Sequence, residues 1–84
     1  MKHYASLRFW DSYDRLPLAV RQLADKSFAL LKADHRHASV SLKKIGSYHA
    51  ARVGLHYRAL AVEAPDGLVW FWIGSHAEYD RMIS

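Results

Sequence analysis

The sequence predicts an α+β fold: a short N-terminal strand, two helices, an antiparallel sheet of about four strands and a short C-terminal helix. Three observations lead there. Apolar residues recur at helical spacing from Phe9 to Ala33. From Ala38 the period changes to alternation and to apolar runs separated by turn residues. The last run, Leu68 to Ile73, leads into Gly74-Ser75-His76-Ala77-Glu78, where Ser75 and Glu78 have the spacing of a capping box and start another helix. Helices grouped ahead of consecutive hairpins indicate an antiparallel sheet with helices on one face.

Taken in order, His3 to Arg8 reads as a strand and Phe9 to Arg15, with Phe9, Tyr13 and Leu16 in helical register, as a short helix. Pro17 disfavours helical geometry at Leu16 and is tolerated in the first turn of a new helix. Leu18 to Ala33 is then the longest helix, with Val20, Leu23, Ala24, Ser27, Phe28 and Leu31 as its core stripe. Ser39 to Ile45 alternates like a half-exposed strand, and Gly46-Ser47 breaks it. Tyr48 to Val53 and His56 to Ala64 are the next strands, joined at Gly54-Leu55. Ala64-Pro65-Asp66-Gly67 carries a type I turn signature. Leu68 to Ile73 is apolar at every position, as expected of a strand buried on both faces. Core packing therefore accounts better than base stacking for at least two of Trp70, Phe71 and Trp72.

At 84 residues the chain is expected to be one domain, 1–84, and 51% apolar residues suffice for a packed core. Cysteine is absent, which removes disulfides, thiolate catalysis and cysteine–zinc sites and fits a cytoplasmic protein. Met1-Lys2-His3-Tyr4 is not followed by an apolar segment, so neither export nor membrane insertion is expected. The net charge of +4 is unevenly placed. No acidic residue occurs from His35 to Val62, whereas Arg36, Lys43, Lys44, Arg52 and Arg58 all do, with His35, His37, His49 and His56 among them. Such a block is the electrostatic footprint of a polyanion site, although a solvated basic face or a surface for an acidic protein would look the same.

The ending Val69 to Arg81, together with Leu42-Lys43-Lys44, Arg52-Val53-Gly54 and Tyr57-Arg58-Ala59, resembles the RelE/ParE toxins of bacterial type II toxin–antitoxin systems. The resemblance implies a RelE/ParE-like fold, a cognate antitoxin as partner, and metal-independent cleavage of mRNA on the ribosome with no cofactor. The lysine-rich second strand of some such ribonucleases is reduced here to Tyr48-His49-Ala50-Ala51-Arg52. The ParE branch lacks the ribonuclease residues and acts on DNA gyrase, and a non-toxic basic RNA-binding module is a further alternative.

RNA cleavage by transesterification needs a base for the 2′-hydroxyl, cations for the phosphorane and an acid for the leaving 5′-oxygen. His76, in the first turn of the last helix, is the candidate for proton transfer; the bland alternative is a capping-region histidine without chemistry. Tyr79 lies on the same helix face and is a candidate to position base or substrate, although such a tyrosine is more often a core aromatic; Asp80 is spaced to orient the imidazole or is an ordinary acidic residue of an early helical turn. By resemblance, Arg58 is the strand arginine that contacts the scissile phosphate. Arg52 joins it only if the hairpin connection has an odd number of residues, such as Gly54-Leu55-His56. A two-residue turn would put the two arginines on opposite faces, and glycine permits either. Lys43, Lys44, His49 and His56 are the RNA-binding candidates, with His49 or His56 also eligible as the second proton-transfer group. Adjacent on a strand, Lys43 and Lys44 face opposite ways, so only one reaches the site. No metal ligand set is expected from the His35 and His37 pair, which has no thiolate nearby.

Overall fold

The computed structural model describes residues 1–84. The elements are β1 (Lys2–Ala5), α1 (Leu7–Asp14), α2 (Leu18–Ala33), β2 (Lys43–Ile45), β3 (Tyr48–Val53), β4 (Tyr57–Ala64), β5 (Gly67–Ser75) and α3 (His76–Ile83). The five strands form one sheet in the order β1-β5-β4-β3-β2. Strands β2 to β5 pair antiparallel in sequence order. The N-terminal strand joins the other edge parallel to β5, with Lys2 opposite Gly67 and Ala5 opposite Trp70. The sheet is therefore mixed, with one strand more than the about four antiparallel ones expected.

Three expected strands are shortened, two of them by several residues for a local reason. The first ends at Ala5 because Ser6 caps α1: its backbone is extended and its Oγ accepts a hydrogen bond from the Phe9 N–H at 3.2 Å. Leu7 and Arg8 are helical, and α1 ends at Asp14. The strand expected over Ser39–Ile45 begins only at Lys43. Its first half is a turn in which the N–H groups of Val40 and Ser41 donate to His37 O, and Ser41 takes a left-handed φ of 48°. Val40 is nonetheless buried, and its carbonyl accepts from the Arg52 N–H at 2.6 Å. The alternation thus came from side chains dipping under the helices, without a strand. The strand expected from His56 starts one residue later, leaving His56 in the hairpin loop.

The sheet carries a core on each face. On one, Leu16, Val20, Ala24 and Leu31 cover Ala51, Val53, Ala59, Trp70 and Ile73. On the other, α3 lays Tyr79 against Ala50 and Leu60, with Phe71 and Trp72 beside them. The helices are therefore not all on one face, and β5 is apolar throughout because it serves both. A β-bulge refines this: Leu60 pairs with Trp72 and Ala61 with Trp70, which leaves Phe71 unpaired. Phe71 and Trp72, though adjacent, consequently both pack on the α3 side. Leu23 and Phe28, expected in the core stripe of α2, remain 45% and 39% exposed. Phe28 lines a cavity of about 80 Å³ between α1, α2 and the sheet, with Phe9, Trp10, Leu31 and Trp70. No helix is long and apolar enough to cross a membrane.

The edge strand is fastened through aromatic contacts that depend on pH. The Trp70 indole N–H donates to His3 Nδ1 at 3.1 Å, and the two rings stack with centroids 6.1 Å apart. An accepting Nδ1 requires a neutral ring. Burial first, then the positive charges of the N-terminus, His35 and Lys32, lower the His3 pKa from its ordinary 6.5. The folded protein therefore binds this proton less readily than the unfolded chain, so the associated stability is present above pH 6.5 and is lost as pH falls from there through the lowered folded-state pKa. We expect His3→Gln, which retains an acceptor and cannot titrate, to flatten the drop in melting temperature between about pH 7 and about pH 5. Identical pH dependence in both proteins would remove His3 from the account of acid sensitivity.

Candidate active site

The β3–β4 hairpin settles the placement of the two arginines. Val53 pairs with Tyr57, so the connection is the three-residue Gly54-Leu55-His56, and Arg52 stands directly opposite Arg58. Gly54 supplies the left-handed φ of 62° with which the loop leaves the strand, a conformation costly for any other residue. The neighbours Ala51 and Ala59 belong to the core under α1 and α2, whereas Ala50 and Leu60 lie beneath α3. By alternation, Arg52 and Arg58 are on the α3 face. Across β4, Arg58 faces Gly74, which adds no side chain to that row.

Lys43 pairs with Ala50 and so shares this face. A shallow polar hollow is lined by Ser41, Lys43, Ala50, Ala51, Arg52 and Arg58. None of its three cations forms an ion pair. The Arg58 Nη1 donates to Tyr57 O at 2.7 Å and to Leu55 O at 3.4 Å, leaving the rest of the guanidinium without a protein acceptor. Concentrated, uncompensated positive charge beside free donors is chemistry for an anion.

The α3 helix starts just after Ser75, which pairs with Tyr57, the residue before Arg58. Ser75 Oγ accepts from the Glu78 N–H at 3.2 Å, and Glu78 Oε1 accepts from the Ser75 N–H at 3.1 Å, so the expected capping box is complete. The Ser75 backbone and side-chain hydrogen bonds, in that order, hold the Glu78 carboxyl below its ordinary pKa. The next N–H, that of His76, donates to His56 O at 2.7 Å. This bond ties the start of α3 to the loop that precedes Arg58. The His76 Nδ1 lies 3.0 Å from Asp80 Oδ2, one helical turn on. Its ring centroid is 5.8 Å from that of Tyr79.

The remaining candidates are placed less favourably. Tyr79 is only 4% exposed, and its hydroxyl is buried with no hydrogen-bond partner. Burial pushes its pKa up, against the pull of the Arg58 charge. Its ring is part of the α3-side core, and its hydroxyl does not open to the hollow. Lys44 pairs with His49, and both point to the opposite face from Arg58. There Glu63 Oε1 lies 3.0 Å from His49 Nε2 and 3.4 Å from Lys44 Nζ. The His49 hydrogen bond, and after it Lys44, lowers the Glu63 pKa. Lys44 and His49 are thus directed away from the hollow and compensated. His56 is exposed in the loop beside His76. Ser41 was not singled out from the sequence, and a non-glycine residue at positive φ leaves no local signal there. Gly74 was passed over for a simpler reason, since an absent side chain marks no chemistry.

No family model and no curated protein matches the sequence. Solved structures do match in three dimensions, two of them over nearly the whole chain. One is the RelB–RelE antitoxin–toxin complex from Methanococcus jannaschii, with a TM-score of 0.73 at 14% identity, covering 96% of this chain and 99% of that one. The other is the isolated E. coli RelE toxin, with a TM-score of 0.63 at 13% identity, covering 98% and 97%. Near-complete coverage in both directions means that the helices, the sheet and their order correspond, although few residues are identical. The chain has the fold of the RelE toxins.

Proposed function

We propose that this protein is the toxin of a type II toxin–antitoxin pair and cleaves mRNA on the ribosome, in the cytoplasm, by metal-independent transesterification. The observation that carries the reading is the juxtaposition of directly opposed, unpaired Arg52 and Arg58 with His76 at a capped helix start. The likeness to a RelB–RelE complex supports the antitoxin partner.

In this reading His76 takes the proton of the 2′-hydroxyl, and the freed oxygen attacks the adjacent phosphorus. Charge builds on the phosphorane oxygens, where Arg58 and Arg52 donate hydrogen bonds that strengthen as the transition state forms. The P–O5′ bond then breaks, giving a 2′,3′-cyclic phosphate, and the leaving oxygen takes up a proton. His56, whose carbonyl holds the His76 N–H, brings a second imidazole to the same end of the hairpin for that step. Lys43 extends the positive surface along the strand, while Tyr79 supports the α3 helix from below.

Arg58→Ala should abolish growth arrest on induction, because a neutral side chain cannot replace charge-assisted hydrogen bonds to phosphate. A folded variant that arrests growth as the parent does would end the case for this site. His76→Gln retains hydrogen-bonding capacity while leaving the Ser75–Glu78 capping box in place. It should slow single-turnover cleavage on programmed ribosomes by about 10²–10⁴-fold at unchanged melting temperature. Unchanged cleavage returns His76 to a structural role. DNA damage signals without loss of protein synthesis would direct attention to a gyrase-type target.

The exposed cations of the hollow need covering in the inactive complex, and an acidic antitoxin segment that folds on binding provides this. Expressed with its genomic neighbour, the toxin should co-purify with a small acidic protein and lose it progressively with rising salt. Isolation from its own operon as a free, toxic chain would contradict this.

A further inference from the structure

We propose that Tyr48, backed by Phe71 and Arg8, is a stacking platform for an unpaired RNA base, two side-chain rows along the sheet from Arg52. The proposal rests on the reading of the hollow as an RNA site and names where a neighbouring nucleotide is held. Alternation puts Tyr48 on the same face as Ala50 and Arg52. The bulge between Leu60 and Ala61 turns Phe71 to this face as well, and the two rings meet with centroids 5.6 Å apart. The Arg8 guanidinium lies over the Phe71 ring at 5.7 Å. Guanidinium and rings thus form a chain of flat groups that ends at β3 in a tyrosine 39% exposed.

Packing alone does not account for this tyrosine. The hydroxyls of Tyr4 and Tyr13 donate to Asp66 and Asp25, each at 2.7 Å, whereas that of Tyr48 has no partner in the protein. Its cross-strand neighbour Val62 is exposed too, so the apolar surface continues past the ring. Three features make single-stranded RNA the occupant. The first is continuity with the hollow: Lys43 pairs with Ala50 and Ile45 with Tyr48, so Tyr48 lies one side-chain row, about 7 Å, from two residues that line it. The second is charge, because Arg8, like Lys43, Arg52 and Arg58, forms no ion pair. The third is the chemistry of the surface. Every base has a π face, and aromatic rings on a sheet beside arginine hold unpaired bases whatever their sequence. A base anchored on Tyr48 fixes the register of the strand over the hollow.

The test is binding of a single-stranded oligoribonucleotide carrying 2-aminopurine, whose fluorescence falls when the base stacks, to the purified protein at low salt. The parent should bind and quench. Tyr48→Leu, which keeps an apolar side chain and removes the π face, should weaken binding by about 10–100-fold and abolish the quench at unchanged melting temperature. Tyr48→Phe should preserve both. Independently of how any variant folds, photo-crosslinking of the parent to RNA containing 5-iodouridine should map to Tyr48 by mass spectrometry. A parent that neither binds nor quenches, a folded Tyr48→Leu that does both as the parent does, or crosslinks confined to other residues overturns the proposal. Weakened antitoxin binding by Tyr48→Leu with RNA binding intact also overturns it, and makes this face a protein-docking surface. None of these measurements needs cleavage. A protein that stacks the base and does not cut RNA would refute the nuclease reading and leave the platform standing, and one that cuts without stacking would do the reverse.

Discussion

The hydrogen bond from the His76 N–H to the His56 carbonyl, 2.7 Å long, joins two parts of the chain that nothing local would bring together. One is the first turn of α3 and the other the loop of the β3–β4 hairpin. The bond continues the β4–β5 ladder, in which Tyr57 faces Ser75 and Arg58 faces Gly74, by one step beyond the strands. The ladder therefore delivers the helix terminus to the edge of the arginine row. The capping box then turns the chain out of the sheet at Ser75, where α3 begins. Without the interior position of β5, covered on both faces, neither the helix nor the hairpin would have a fixed reference.

The same sheet sorts charge by face. Alternation sends Lys44 and His49 to one side, where Glu63 meets both, and Lys43, Arg52 and Arg58 to the other, where no acid meets them. The cationic block of the sequence is thus divided into a compensated and an uncompensated part. Concentrating unpaired cations costs self-repulsion, which a bound polyanion or an acidic partner relieves. This division is the physical reason for assigning the site to the α3 face. It also accounts for a net charge of only +4 being sufficient, since its placement matters more than its amount.

Much of this was legible in the sequence where a single local rule governs. The Ser75–Glu78 spacing marked the start of α3 to the residue, and helical periodicity bounded α2 at Leu18 and Ala33. The alternation of adjacent strand residues already required Lys43 and Lys44 to part. What stayed hidden depended on partners distant in the chain. The parallel pairing of Lys2–Ala5 with β5 is invisible from either segment, and so is the burial of Tyr79 against Leu60. The turn over Ser39–Leu42 imitated a strand because Val40 and Leu42 both meet the helical core. The register around Gly54 was open because glycine permits two- and three-residue loops alike, and only the pairing of Val53 with Tyr57 decides between them.

The central claim is that a strand-borne arginine pair and a helix-start imidazole carry out transesterification of RNA. The most direct test is the chemistry of the new ends produced when the purified protein cleaves mRNA on programmed ribosomes, read by mass spectrometry of the fragments. Attack by the 2′-hydroxyl leaves a 2′,3′-cyclic phosphate, or the phosphate derived from it, on one fragment and a 5′-hydroxyl on the other. Fragments ending in a 3′-hydroxyl and a 5′-phosphate would mean attack by water instead and would contradict the assignment.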